Sequence, residues 1–192
     1  MSNPHNREYK RGFVLSTVII IEAVLLAIAA VCCLVCKIDL LPALTNARPE
    51  HFLLGGLIGV TLSVFGLVMT RVESFKSFHQ LVYEIMGPLF AHSRIVDIAL
   101  IALASGFCEE VFYRGVLQIQ FGIVIASLIF GICHFAGKQF YLYVIWATLA
   151  GYLFGRLFEM SHSLWLPITA HAVSNFVSIV ILRQKMRAAD KG

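Results

Sequence analysis

Glu109, Glu110 and Arg114 lie together in one apolar tract, His134 closes the next, and His171 and Asn175 interrupt the last. An ionisable group at membrane depth costs about 2.5–3.5 kcal/mol on insertion scales, so several together imply a shared polar cavity. Successive residues of a helix point about 100° apart, so Glu109 and Glu110 face different partners. Arg114 follows Glu110 by four residues, the favourable acid-before-base order on one helix face. Glu110 thereby takes a supporting role with Arg114, and Glu109 is left without a local counter-ion. Phe130 and His134 are also four apart, as are His171 and Asn175, so each pair shares a face. Glu109, His134, His171 and Asn175 can thus converge from three helices.

A carboxylate and an imidazole that hold one water can remove its proton. A second imidazole and a carboxamide can then donate hydrogen bonds to the oxyanion formed when that water attacks a carbonyl. The reaction class is amide hydrolysis, with Glu109 as general base. The same residue types permit other readings. One Glu and two His form a known zinc ligand set, although the His-Glu-x-x-His signature is missing. Buried Glu and His also serve proton-coupled transport, and buried polar contacts alone can fix helix register in a membrane scaffold that catalyses nothing. No metal and no cofactor are expected.

The elements that position these residues must be membrane helices. Of 192 residues, 59% are hydrophobic and only 14% charged, and a water-soluble globule of this size has too little interior for so much apolar side chain. The net charge of +4 comes from Lys and Arg scattered along the chain, not from the continuous stripe of a nucleic-acid binder, so no nucleic-acid partner is expected. Cys32, Cys33, Cys36, Cys108 and Cys133 all fall in apolar tracts and read as small packed or lipid-facing residues.

Hydropathy predicts an all-α, polytopic transmembrane bundle of about six spans with one interfacial amphipathic helix. The spans are Phe13–Cys36, Phe52–Thr70, Ile95–Leu117, Phe121–Phe135, Phe140–Phe158 and Leu164–Leu182. The first is too long for a signal-peptide core and reads as a retained helix. Its one acid, Glu22, is expected to serve helix packing. Gly55, Gly56, Gly59, Ser63 and Gly66 in the second span should let a neighbouring helix approach closely. Arg71 to Ser93 alternates charged and apolar residues, suiting an interfacial helix broken at Gly87-Pro88, with His79 and His92 solvated. His162 reads as a turn residue, and Tyr141, Tyr143, Trp146 and Trp165 as interfacial aromatics at helix ends. Gly106, Gly115, Gly122 and Gly131 are expected to leave room for an extended peptide beside the polar cluster. The organisation is residues 1–94 as an N-terminal region, 95–183 as a four-helix catalytic core and 184–192 as a short basic tail. An even number of spans, with Arg7, Lys10 and Arg11 at one end and Arg183, Lys185, Arg187 and Lys191 at the other, makes both termini cytoplasmic.

Three stretches then resemble a known family. Glu109-Glu110-Val-Phe-Tyr-Arg114 is similar to an EExxxR motif, Phe130-Gly-Ile-Cys-His134 to FxxxH, and His171-Ala-Val-Ser-Asn175 to HxxxN. In order on three apolar helices, they resemble the CAAX-protease and bacteriocin-processing (Abi) family of intramembrane glutamic endopeptidases. The resemblance covers about Ala99 to Val180. It implies that Glu109 and His134 activate water, that His171 and Asn175 hold the oxyanion, and that Glu110, Arg114 and Phe130 support them. It further implies membrane-associated peptide or protein substrates within the lipid bilayer and a multi-pass location in the cell membrane, the inner membrane of a bacterium. Some members act in bacteriocin immunity or in maturing peptide signals, so a prenylated substrate is not presupposed.

Overall fold

The computed structural model describes residues 11–189 and is all-helical, with no strand among them. The chain runs through α1 (Arg11–Cys36), α2 (Leu41–Thr45) and α3 (Pro49–Met69) to α4 (Lys76–Gln80) and α5 (Gly87–Phe90), which a π-helical turn, Leu81–Met86, joins. There follow α6 (Ile95–Phe112), a second π-helical segment (Tyr113–Gln118), α7 (Ile119–Cys133), α8 (Tyr141–Ser161) and α9 (Trp165–Ala189). Arg7, Lys10 and Lys191 of the expected basic ends lie outside the described residues. From Gln184 to Ala189 the expected tail is a continuation of α9.

Among the described residues five stretches are long and apolar enough to cross a membrane: Gly12–Cys36, Pro49–Met69, Ile95–Cys133, Lys138–Ser161 and Trp165–Ala189. The third has 39 residues, about 58 Å as a straight helix, roughly twice a hydrocarbon core of about 30 Å. It is not straight. Gly122 has φ 81° and ψ 166°, a conformation open essentially to glycine alone. The chain folds back there, so that Tyr113 and Phe130 stack edge to face with ring centroids 4.9 Å apart. Two expected spans are therefore one hairpin, and its returning arm ends at His134. The outward faces carry Ile20, Leu34, Leu53, Leu57, Leu103 and Leu149, all exposed apolar side chains that suit lipid contact. The protein is a multi-pass membrane protein.

α9 is the central helix, flanked by α3 and α6. Gly55 and Gly59 of α3 face α9 so closely that an added Cβ would stand 2.9 Å from the Leu166 carbonyl oxygen and 2.5 Å from that of Ala170. Gly56 faces open space, so only part of the small-residue set makes the close approach. Ser63 continues the seam, donating to the Ser174 carbonyl at 2.8 Å. At one end of the bundle Val14, Phe90, Ile101 and Leu182 form a single apolar cluster, which brings the start of α1 and the far part of α9 to the same face.

The segment after α3 is amphipathic as expected, burying Phe78, Leu81 and Phe90 while Lys76, His79 and Glu84 stay exposed. It does not break at Gly87-Pro88. Pro88 lies in the first turn of α5, directly after the π-helical turn. Gly87 instead makes room for Met186 of α9, whose sulfur would lie 2.7 Å from an added Cβ. Arg187 and Arg183 of α9 clamp the end of this segment, donating to the carbonyls of Ala91 (2.9 Å) and Ser93 (2.7 Å). His162 takes φ 51° and ends α8 as a left-handed cap, the turn role expected of it.

Candidate active site

α6 presents Glu109 and Glu110 to different surroundings. Glu110 is fully buried beside Arg114, whose Nε donates to Glu110 Oε2 at 2.8 Å. The other Glu110 oxygen, Oε1, accepts from His171 Nδ1 on α9 at 2.9 Å. Glu110 thus ties α6 to α9 as well as neutralising Arg114, a role that spacing along one helix did not reveal. The Arg114 guanidinium lies 5.4 Å from the Phe130 ring centre and 5.9 Å from that of Tyr113, where ring faces are attractive to a cation.

The spacing of α6 and α9 depends on Gly106. A Cβ there would stand 2.8 Å from the Ala172 backbone nitrogen, one residue beyond His171. Gly131 is pressed against Thr148 and lies 2.9 Å, by an added Cβ, from the Val144 carbonyl oxygen, and Gly115 is covered by Leu40. These glycines let helices close on one another and do not leave a path for an extended peptide. Gly122 has open space beside it, but its requirement is the turn.

His134 stands just past the end of α7 with its Nδ1 2.7 Å from the Phe130 carbonyl oxygen. A carbonyl only accepts, so Nδ1 carries the proton and a neutral His134 has Nε2 free as an acceptor. Phe130 thereby orients His134 through its backbone while its ring lies 5.8 Å, edge on, from His171. His171 is further held by Phe154, stacked at 4.9 Å and 15°. Asn175, one turn beyond His171, donates through Nδ2 to Ser105 Oγ of α6 at 2.9 Å.

Glu109, His134, His171 and Asn175 all line one cavity of about 360 Å³. Glu109 Oε2 is buried there without a hydrogen-bond partner. Much of the remaining wall is apolar, formed by Leu62, Phe78, Met86, Phe90, Ile179 and Leu182. Tyr143 and Trp146 border it too, unlike Tyr141, which is exposed at the start of α8 as an interfacial aromatic would be. Their placement had no signal in the sequence, because aromatics near a helix end read equally well as interfacial. Ser105 had one: it lies four residues before Glu109 and so on the same face of α6. Glu22 of α1, expected to serve helix packing, also lines the cavity beside Glu109, and its Oε2 is likewise buried without a hydrogen-bond partner. Among the described residues no group of three His, Cys, Asp or Glu side chains is placed to hold a metal ion.

Residues 90–177 match the family model described as type II CAAX prenyl endopeptidase Rce1-like. The matched range contains all three motifs. An uncharacterized protein, YpbD of Bacillus subtilis (strain 168), is 31% identical over 136 residues, which span 69% of this chain and 71% of the relative. The chain belongs to the Rce1-like CAAX protease family. Its general activity class is that of a CAAX-type intramembrane protease, and the family match begins at Phe90, with the last turn of the interfacial segment, and ends just after Asn175. No solved structure matches the chain significantly.

Proposed function

We propose that this Rce1-like protein is an intramembrane endopeptidase that hydrolyses peptide bonds of membrane-associated peptides or proteins with a water activated by Glu109 and His134. The observation that carries the reading is the shared cavity of Glu109, His134, His171 and Asn175, much of whose remaining wall is apolar. Glu109 has a carboxylate oxygen without a partner, and His134 has an acceptor nitrogen left by its bond to the Phe130 carbonyl. Between them they can take one proton and one hydrogen bond from a water, which leaves an oxygen lone pair to attack a carbonyl carbon.

His171 and Asn175 suit the oxyanion. Asn175 uses one amide hydrogen on Ser105 and keeps the second for the substrate oxygen. His171 donates through Nδ1 to Glu110, so donation from Nε2 requires both ring protons. The Glu110 carboxylate stabilises that doubly protonated ring. Glu110, Arg114 and Phe130 act through the groups they hold. The apolar wall of the cavity suits a lipid-anchored or membrane-embedded stretch beside the scissile bond. The catalytic core is residues 95–183, within a cell-membrane protein whose basic end of α9 faces the cytoplasm.

The test is a comparison of membranes carrying the wild-type protein or Glu109→Gln by mass spectrometry of peptide N- and C-termini. New termini that need Glu109 and cluster near membrane segments are expected. Termini confined to soluble domains would overturn the substrate class, and no Glu109-dependent terminus would overturn the hydrolase.

A further inference from the structure

Glu22 is an acid that this mechanism leaves unused. It lies in the middle of α1, is 6% exposed, and lines the same cavity as Glu109 of α6, and each of the two carboxyl groups has its Oε2 buried without a hydrogen-bond partner. Both acids, with His134, line the large cavity and a second of about 340 Å³ that opens between α1 and the end of α7 at Cys133. They therefore sit on the wall where the two meet. The titratable groups that line these cavities with Glu22 include Glu109, Tyr113, Cys133 and His134, and His171 of α9. Among the described residues none forms an ion pair with Glu22, and Arg114 is engaged by Glu110.

A hydrogen bond between two carboxyl groups needs one proton, since like charges in contact do not both ionise in a low-dielectric site. We propose that Glu22 holds that proton and donates its O–H to the Glu109 carboxylate, as a positioning residue for the general base. The proposal rests on the hydrolase reading above. Charge balance favours this placement of the proton. Ionised Glu109 and Glu110 offset Arg114 and a doubly protonated His171, so a further anion at Glu22 would be uncompensated at membrane depth. With one Glu109 oxygen accepting from Glu22, the other is fixed for the water. During hydrolysis Glu109 takes a proton from water as the carbon–oxygen bond forms and returns it to the amide nitrogen as the carbon–nitrogen bond breaks. The Glu22 proton stays where it is.

The test uses the purified full-length protein and two fluorogenic peptides, one ending in a farnesylated CAAX sequence and one carried on an unmodified apolar anchor. Glu22→Met matches the volume and removes the donor. It should lower kcat by roughly 10- to 100-fold with little change in KM, the loss of a hydrogen bond to a charged group. Glu22→Gln restores a donor and should recover kcat to within about threefold of wild type. Difference infrared spectra should contain a protonated carboxylic acid C=O stretch that both variants lose. Wild-type kcat in Glu22→Met, a Glu22→Gln variant as inactive as Glu109→Gln, or no such band would overturn the proposal. If neither peptide is cut in a Glu109-dependent way, the hydrolase reading is what fails, and the infrared band decides the carboxyl pair by itself.

Discussion

His171 and Glu110, 61 residues apart in the chain, are joined by a 2.9 Å bond from the imidazole Nδ1 to the carboxylate, and the same carboxylate holds Arg114 at 2.8 Å. One buried anion therefore fixes the helix that carries the proposed general base and the ring proposed to meet the oxyanion.

Glu110→Gln should impair stability and turnover together. It leaves Arg114 buried without its anion, a loss of about 3–5 kcal/mol, and it removes the charge that stabilises a doubly protonated His171. Thermal unfolding in detergent, paired with a cleavage assay on the surviving folded fraction, reads both. A variant that melts like wild type would show that Arg114 is compensated elsewhere.

Glu109→Gln should behave differently. The amide keeps the shape and loses the proton acceptor, so kcat should fall by about 10²–10⁴ while the melting temperature stays close to wild type. Near-normal turnover by the purified variant would remove Glu109 from the role of base.

Asn175→Ala should lower kcat by roughly 10²–10³ with little change in KM, as expected for the loss of an oxyanion donor. Ser105→Ala, which frees the Asn175 amide from its 2.9 Å contact, should have a smaller effect of the same kind, about threefold to tenfold. A rise in KM with normal kcat in either variant would assign the pair to substrate docking.

Gly122→Ala tests the hairpin. No atom lies within 4 Å of an added Cβ, so the cost is that of the backbone alone, about 1–3 kcal/mol for a side chain held at φ 81° and ψ 166°. The measurement is thermal stability, and an unchanged melting temperature would mean that the turn can be made another way.

Exhaustive chelation should leave peptide cleavage intact, and elemental analysis of the active protein should find no stoichiometric zinc. Loss of activity that zinc restores would return the Glu/His set to the metal-ligand reading.

Composition and hydropathy were enough to determine a membrane helix bundle, because a long apolar tract has few other stable fates. Four-residue spacing was enough to pair Glu110 with Arg114 and to separate Glu109 from them, because the helix period is a local property of the backbone. The three motifs placed the polar cluster on three helices, the second and third of them separated by a further helix. What lay beyond the sequence were relations between helices distant in the chain. The tie from Glu110 to His171, the bond from Asn175 to Ser105, and the placing of Glu22 and Glu109 on one cavity all depend on how α1, α6 and α9 are rotated about their axes. That rotation is set by close contacts such as Gly106 against Ala172 and Gly59 against Ala170. A glycine in a sequence states only that a side chain is missing, and which neighbour takes the space is decided when the helices pack. The same holds for Gly122, where a short turn let two spans read from hydropathy become a hairpin whose shorter arm leaves His134 at the cavity.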